Sequence, residues 1–128
     1  MDTTKEYRNQ CEKAKKYLGI PETPGSFWYD TQQKKVFVVD DMGITHKVNE
    51  KYIVPLYRQD QLQKIWQDEF NNGPFTGMID EFYDWVRNLS PYNNPDYLEW
   101  SMEQLWLAFV MKEKYSKTWN GKDWVCIK

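Results

Sequence analysis

One stretch, residues 101–115, is apolar on so much of its circumference that it belongs inside a core. Ser101 with Gln104 three residues later predicts a capping box, so a helix should begin there. Most of its charges come in the last turns and are cations, which suit a helix C-terminus. We expect Leu105, Trp106 and Phe109 to be fully or nearly buried. The apolar side chains at helical spacing, with two that widen the surface, are Met102, Leu105, Trp106, Phe109 and Val110, then Leu107 and Met111.

Three further helices are predicted from apolar spacing. The first covers residues 3–18 and is ended by Gly19 and Pro21. The second covers residues 60–70, and the third covers residues 74–89. The first helix carries only a thin apolar stripe on a lysine-rich surface, so it should pack on one side. That stripe consists of Tyr7, Cys11, Ala14 and Leu18.

Residues 26–30 and 35–40 are rich in aromatic and β-branched side chains and are joined by a short polar loop, which predicts a β-hairpin. Residues 44–48 alternate weakly and are a candidate third strand. In the extended piece 52–55, Pro55 cannot donate a ladder hydrogen bond. This piece should therefore lie at a sheet edge or outside the sheet.

Asn120-Gly121 is the strongest short-range turn signal in the chain. Residues 124–127 follow it, and we expect them to form a strand that returns to the N-terminal sheet. The prediction is a single α+β domain over residues 1–128. A small antiparallel sheet, made of the N-terminal hairpin and the C-terminal strand, would pack against three to four helices, with the C-terminal helix buried.

The charge balance, 17 basic against 19 acidic residues, gives no global basic field, so nucleic-acid binding is not expected. The polar N-terminus does not resemble a signal peptide, and no apolar run approaches the ~18 residues of a membrane span. We therefore expect a cytoplasmic protein with no membrane partner. Cys11 and Cys126 have no spacing motif and should be free thiols, with a disulfide between them as the alternative.

Motifs for chemistry are missing from the sequence. His46 has no partner at metal-ligand spacing, and no glycine pattern for phosphates or serine elbow is present. A cysteine–histidine nucleophile would need Cys11 or Cys126 to meet His46 in space. The sequence therefore assigns no catalytic residue, cofactor or metal site. An enzyme is not excluded, because catalytic groups can assemble in space from any of the many carboxylates.

The charge distribution is uneven along the chain. Between Asp68 and Glu103 lie eight acidic residues and one basic residue, Arg87, with aromatic residues interleaved. This pattern predicts a docking face for the basic surface of another protein. The alternative is the solvated side of two helices. The candidate partner-binding residues are Tyr92, Asp96, Tyr97, Glu99, Trp100 and Glu103.

Two segments, PLYRQDQLQ at 55–63 and SMEQLWLAFVMKEKYSKTWNGKDWV at 101–125, carry a family resemblance. They resemble small uncharacterised proteins encoded by phages and prophages of Gram-positive bacteria. In that family a proline precedes RQDQLQ directly, whereas Leu56 and Tyr57 intervene here. A shorter segment, 119–122 (WNGK), is similar to a motif of a phage family that sequesters nucleotide signals. A hairpin turn explains the same residues without a ligand.

The resemblance implies a phage or prophage protein that acts in the cytoplasm of a bacterial host, and it implies no activity. We expect a non-enzymatic factor that binds a host protein, as a regulator or a counter-defence inhibitor. One alternative is a nucleotide-binding or catalytic protein with an aromatic pocket. Another is a homo-oligomeric phage accessory protein.

Overall fold

The computed structural model describes residues 1–40, 50–70, 75–89 and 99–127. The predicted α+β class is confirmed: these residues form four helices, a three-stranded antiparallel sheet and a C-terminal hairpin. The candidate strand at 44–48, with His46, lies outside the described residues. A short 3₁₀ turn at Glu50–Tyr52 precedes the third strand. The elements are α1 (Lys5–Leu18), β1 (Phe27–Asp30), β2 (Lys35–Val38), β3 (Ile53–Leu56), α2 (Gln59–Glu69), α3 (Phe75–Leu89), α4 (Met102–Tyr115), β4 (Lys117–Trp119) and β5 (Trp124–Cys126).

Helix α4 is the centre of the core, as predicted. The Ser101 hydroxyl accepts from the Gln104 amide, and the Gln104 side chain accepts from the Ser101 amide, which is the predicted capping box. Trp106 and Phe109 are fully buried. Leu105 is only half-buried, contrary to our expectation, because it shares a side of the helix with exposed Met102.

Aromatic rings fill the space between the helices. The ring of Phe82 on α3 stacks on Trp106 with centroids 3.9 Å apart, and Phe109 meets both rings edge-on. Trp66 on α2 lies 6.3 Å from Phe109, in the layer where α2 and α4 pack together. This aromatic part of the core therefore depends on side chains from three helices.

Helix α1 packs by the predicted stripe, and Tyr7, Cys11 and Ala14 are completely buried. The Tyr7 hydroxyl donates to the Tyr57 backbone carbonyl, and the Tyr57 hydroxyl donates to the carbonyl of Gly19, each over 2.6 Å. Gly19 ends the helix with a positive φ of 77°. These bonds join both halves of α1 to the chain that follows β3.

The sheet has the strand order β2-β1-β3. The predicted hairpin of β1 and β2 is confirmed, with Phe27 opposite Val38 and Asp30 opposite Lys35. Strand β3 lies at an edge, as Pro55 predicted, and Pro55 is opposite Trp28.

The C-terminal strand is placed differently from our expectation. Strand β5 pairs with β4 in a separate two-stranded sheet, with Trp119 opposite Trp124, instead of joining β1. Ser116 makes this possible: it adopts a left-handed conformation directly after α4, which turns the chain at once into β4. The hairpin is fixed to α1 by the Trp124 indole, which donates to the Gln10 carbonyl. No helix among the described residues is long and apolar enough to cross a membrane.

Candidate protein-binding surfaces

Only half of the predicted partner-binding residues can be placed, because Tyr92, Asp96 and Tyr97 lie outside the described residues. Glu99 is exposed and Trp100 is half-buried. The carboxylate of Glu103 lies 3.8 Å from the N-terminal amino group, and its side chain is only 20% exposed. Glu103 therefore already takes part in an ion pair within the fold.

Asp2 makes a second acidic contact at the start of α4. Its carboxylate accepts from the Ser101 hydroxyl over 2.6 Å and from the backbone and side chain of Thr4. Burial alone would raise the pKa of Asp2, but these hydrogen bonds outweigh burial and lower it. The acidic groups here hold the N-terminus against α4, so this end of the predicted face has a structural role.

The exposed part of the acidic segment is on helix α3. We call Ile79, Asp80, Tyr83 and Asp84 the α3 stripe, because spacings of three and four residues put them on one side of the helix. All four are exposed, and Tyr83 is the most exposed aromatic ring among the described residues at 59%. The Arg87 guanidinium lies 5.5 Å from the Tyr83 ring centroid.

The opposite side of α3 explains why this stripe faces outward. Met78 is completely buried and Phe82 nearly so, and both belong to the main core. A helix with one apolar side in the core leaves the residues between these positions in water. The α3 stripe is thus displayed by a helix whose orientation the core fixes.

Strand β2 forms a second exposed surface, which is apolar. Its side chains are all exposed, with Phe37 at 40% and Val38 at 56%. Phe37 and Val38 point to opposite faces of the sheet, so neither face of β2 is covered. Sequence reasoning missed this surface, because a run such as KVFVV has the composition of a buried strand.

The Cys11 thiol is shielded from solvent by complete burial. Burial raises the pKa of the Cys11 thiol to about 12, which removes its nucleophilic character. Both cysteines are free thiols, as predicted, and Cys126 is exposed. No group of His, Cys, Asp and Glu that could hold a metal ion occurs among the described residues.

A cleft of about 410 Å³ lies beside the end of α1. Its lining contains two lysines and no aromatic side chain, so it does not match the aromatic pocket of the nucleotide-binding alternative. The lining residues are Lys15, Gly19, Ile20, Glu22 and Lys51.

Comparisons with protein-family models, with curated proteins and with solved structures find no match to this chain. The phage resemblance therefore stays a prediction, and the function has to be argued from the surfaces.

Proposed function

We propose that this protein is a non-enzymatic binding factor whose partner presents a basic surface to the α3 stripe. The observation that carries the proposal is the position of Tyr83. It is 59% exposed between the exposed carboxylates of Asp80 and Asp84 on a helix anchored in the core.

This arrangement fits the physics of protein association. An exposed tyrosine provides a large contact area with little conformational entropy to lose, and aromatic residues are frequent energetic centres of interfaces. Carboxylates around the ring speed and orient the encounter with a basic partner. If this side of α3 served only to contact water, its carboxylates would be sufficient. The alternative of a merely solvated side therefore gives no reason for the large side chains of Tyr83 and Ile79 beside them.

The residues predicted from sequence contribute unequally to this proposal. Glu99 is exposed and stays a candidate for the same partner, as does half-buried Trp100. Glu103 is a weaker candidate because its carboxylate faces the N-terminal amino group.

We further propose, from the resemblance of residues 55–63 and 101–125 alone, that the protein is phage-encoded and that its partner is a host protein. This choice sets the source of the partner in the experiment, a lysate of Gram-positive cells. The roles of host regulator and counter-defence inhibitor would both involve such a partner.

The test is a pull-down from this lysate with the parent protein and with Asp80→Lys/Asp84→Lys. The matched control is Glu6→Lys/Glu22→Lys, which changes the net charge equally at exposed positions outside the acidic segment. All three proteins should melt alike, since surface substitutions usually change stability by about 0.5 kcal/mol or less.

We expect a host protein to be captured by the parent and by the control, and capture by the α3 variant to fall by about tenfold or more. Tyr83→Ala should weaken capture at physiological salt as well, since its contribution is not electrostatic. Equal capture by both charge variants would exclude the α3 stripe. No capture by the parent at any salt concentration would contradict the binding function itself.

A further inference from the structure

The backbone of β2 has a defined outer edge. The Val39 N–H donates to the Ser26 carbonyl and the Val39 carbonyl accepts from the Gly25 N–H, each over 2.8 Å, so Val39 faces β1. Backbone groups alternate in direction along an antiparallel strand. Phe37 therefore also faces β1, and the N–H and C=O groups of Val36 and Val38 point away from the sheet. In the described part of the chain no hydrogen bond reaches these outer groups.

We propose that β2 pairs antiparallel with the β2 strand of a second copy of this chain, with Phe37 on the two-fold axis. The outer groups of Val36 in one copy then meet those of Val38 in the other. Two three-stranded sheets become one continuous six-stranded sheet. The inference is independent of the α3 stripe, because a different observation carries it.

The charges that flank β2 select this partner and this register. Lys34 and Lys35 precede the apolar residues, and Asp40 follows them. An antiparallel copy reverses the order, so the lysines at the start of β2 in one copy come near Asp40 of the other copy at both ends of the contact. The strand is therefore complementary to itself in charge, and opposite charges across strands favour pairing.

The side chains fit the same register. Phe37 would meet the Phe37 ring of the second copy across a pair that makes no hydrogen bonds, where side chains approach most closely. On the other face, Val36 and Val38 of both copies would form one apolar patch. A single contact between two copies would therefore bury exposed apolar surface on both faces of β2.

The assembly closes after two copies because the other edge of the sheet is covered. Strand β3 packs against α1, and its four residues are buried. The Lys15 ammonium donates to the carbonyl of Ile53. Among the described residues, a two-fold pair thus leaves no second open edge of this sheet for growth into a fibre.

The experiment is sedimentation equilibrium of the full chain over a wide range of protein concentration. We expect a reversible equilibrium between monomer and dimer, with no larger species. Val38→Pro removes the outer donor of β2 without removing a bond to β1, and should raise the dimer Kd by about tenfold or more. Val38→Thr is the matched control, because it keeps the N–H and the β-branched shape, and its Kd should stay within about threefold of the parent.

A charge swap tests the register without altering the backbone. Lys34→Asp and Asp40→Lys should each weaken the dimer by about fivefold to tenfold, whereas the double variant restores the opposite pairing and most of the affinity. Aspartate tolerates the positive φ of 56° at position 34. A chain that is monomeric at every concentration, or a dimer that Val38→Pro and both single swaps leave unchanged, would overturn the proposal.

Discussion

Strands β3 and β2 both border β1, but in the part of the chain that the structure describes only β3 is covered by another element. The outward positions of β3 are Ile53 and Pro55: the Ile53 carbonyl accepts from Lys15 on α1, and Pro55 has no N–H to leave without a partner. The outward positions of β2 are Val36 and Val38. Each of them has a backbone N–H and a backbone C=O that point away from β1.

A small sheet can therefore have two edges with separate roles. Helix α1 and a proline close one edge within the chain, which protects it from other strands. The second edge is short, apolar and flanked by charges of opposite sign, which suits one specific contact.

The largest contrast is between two phenylalanines. Phe109→Ala should lower the free energy of unfolding by ~3–5 kcal/mol, because Phe109 is completely buried among the rings of α2, α3 and α4. Phe37→Ala should lower it by about 1 kcal/mol or less at the lowest workable protein concentration, because its side chain is 40% exposed. Urea denaturation of both variants measures this, and equal losses would show that β2 is part of the core.

Burial in the core should also protect the thiol of Cys11 on α1 from reagents. Since burial raises the pKa of the Cys11 thiol to about 12, its thiolate is far rarer at pH 8 than that of an ordinary cysteine. Titration with a thiol reagent should modify Cys126 quickly in the native protein and Cys11 only after denaturation. Rapid modification of both cysteines would mean that the α1 side opens readily.

Removing the ammonium group that caps β3 should have a moderate effect. Lys15→Met keeps the aliphatic stem but leaves the Ile53 carbonyl without this donor, which should cost about 1–2 kcal/mol. Lys13→Met is the matched control on the exposed side of α1, and we expect it to change stability by about 0.5 kcal/mol or less. If both variants melt alike, Lys15 does not contribute to closing the edge.

The smallest predicted effect concerns the acidic contact near α4. The pKa of Asp2 is lower in the folded protein than in the unfolded chain, so the folded state binds this proton less tightly. Its contribution to stability is therefore complete above the ordinary aspartate pKa of about 3.9 and is lost as the pH falls through the lower folded value. Asp2→Asn should melt slightly below the parent at neutral pH, and the difference should shrink in acid. If the difference in melting temperature between Asp2→Asn and the parent grows in acid, this prediction is wrong.

Local features of this fold could be predicted from sequence. The capping box of Ser101 and Gln104, the end of α1 at Gly19 and the edge position of Pro55 all depend on the chemistry of single residues or close neighbours. Each gives its signal within a few residues, so no knowledge of tertiary packing is required.

Features that depend on distant packing could not be predicted. The separate C-terminal hairpin follows from the left-handed conformation of Ser116, and serine carries no signal for it comparable to glycine or asparagine. Val36 and Val38 are exposed because none of the described helices covers β2, and the strand's own composition cannot reveal this. The ion pair of Glu103 with the N-terminal amino group joins two residues that are far apart in the sequence, so neighbouring residues give no signal for it.

The most direct test of the contrast between the two edges is amide hydrogen exchange, measured residue by residue at low and high protein concentration. We predict that the Phe37 and Val54 amides, which face β1, are protected equally at both concentrations. The Val36 and Val38 amides should exchange rapidly in the dilute monomer and become protected as the concentration rises. Protection of Val36 and Val38 that does not depend on concentration, whether strong or absent, would contradict an edge that is open in the monomer and closed by a second copy.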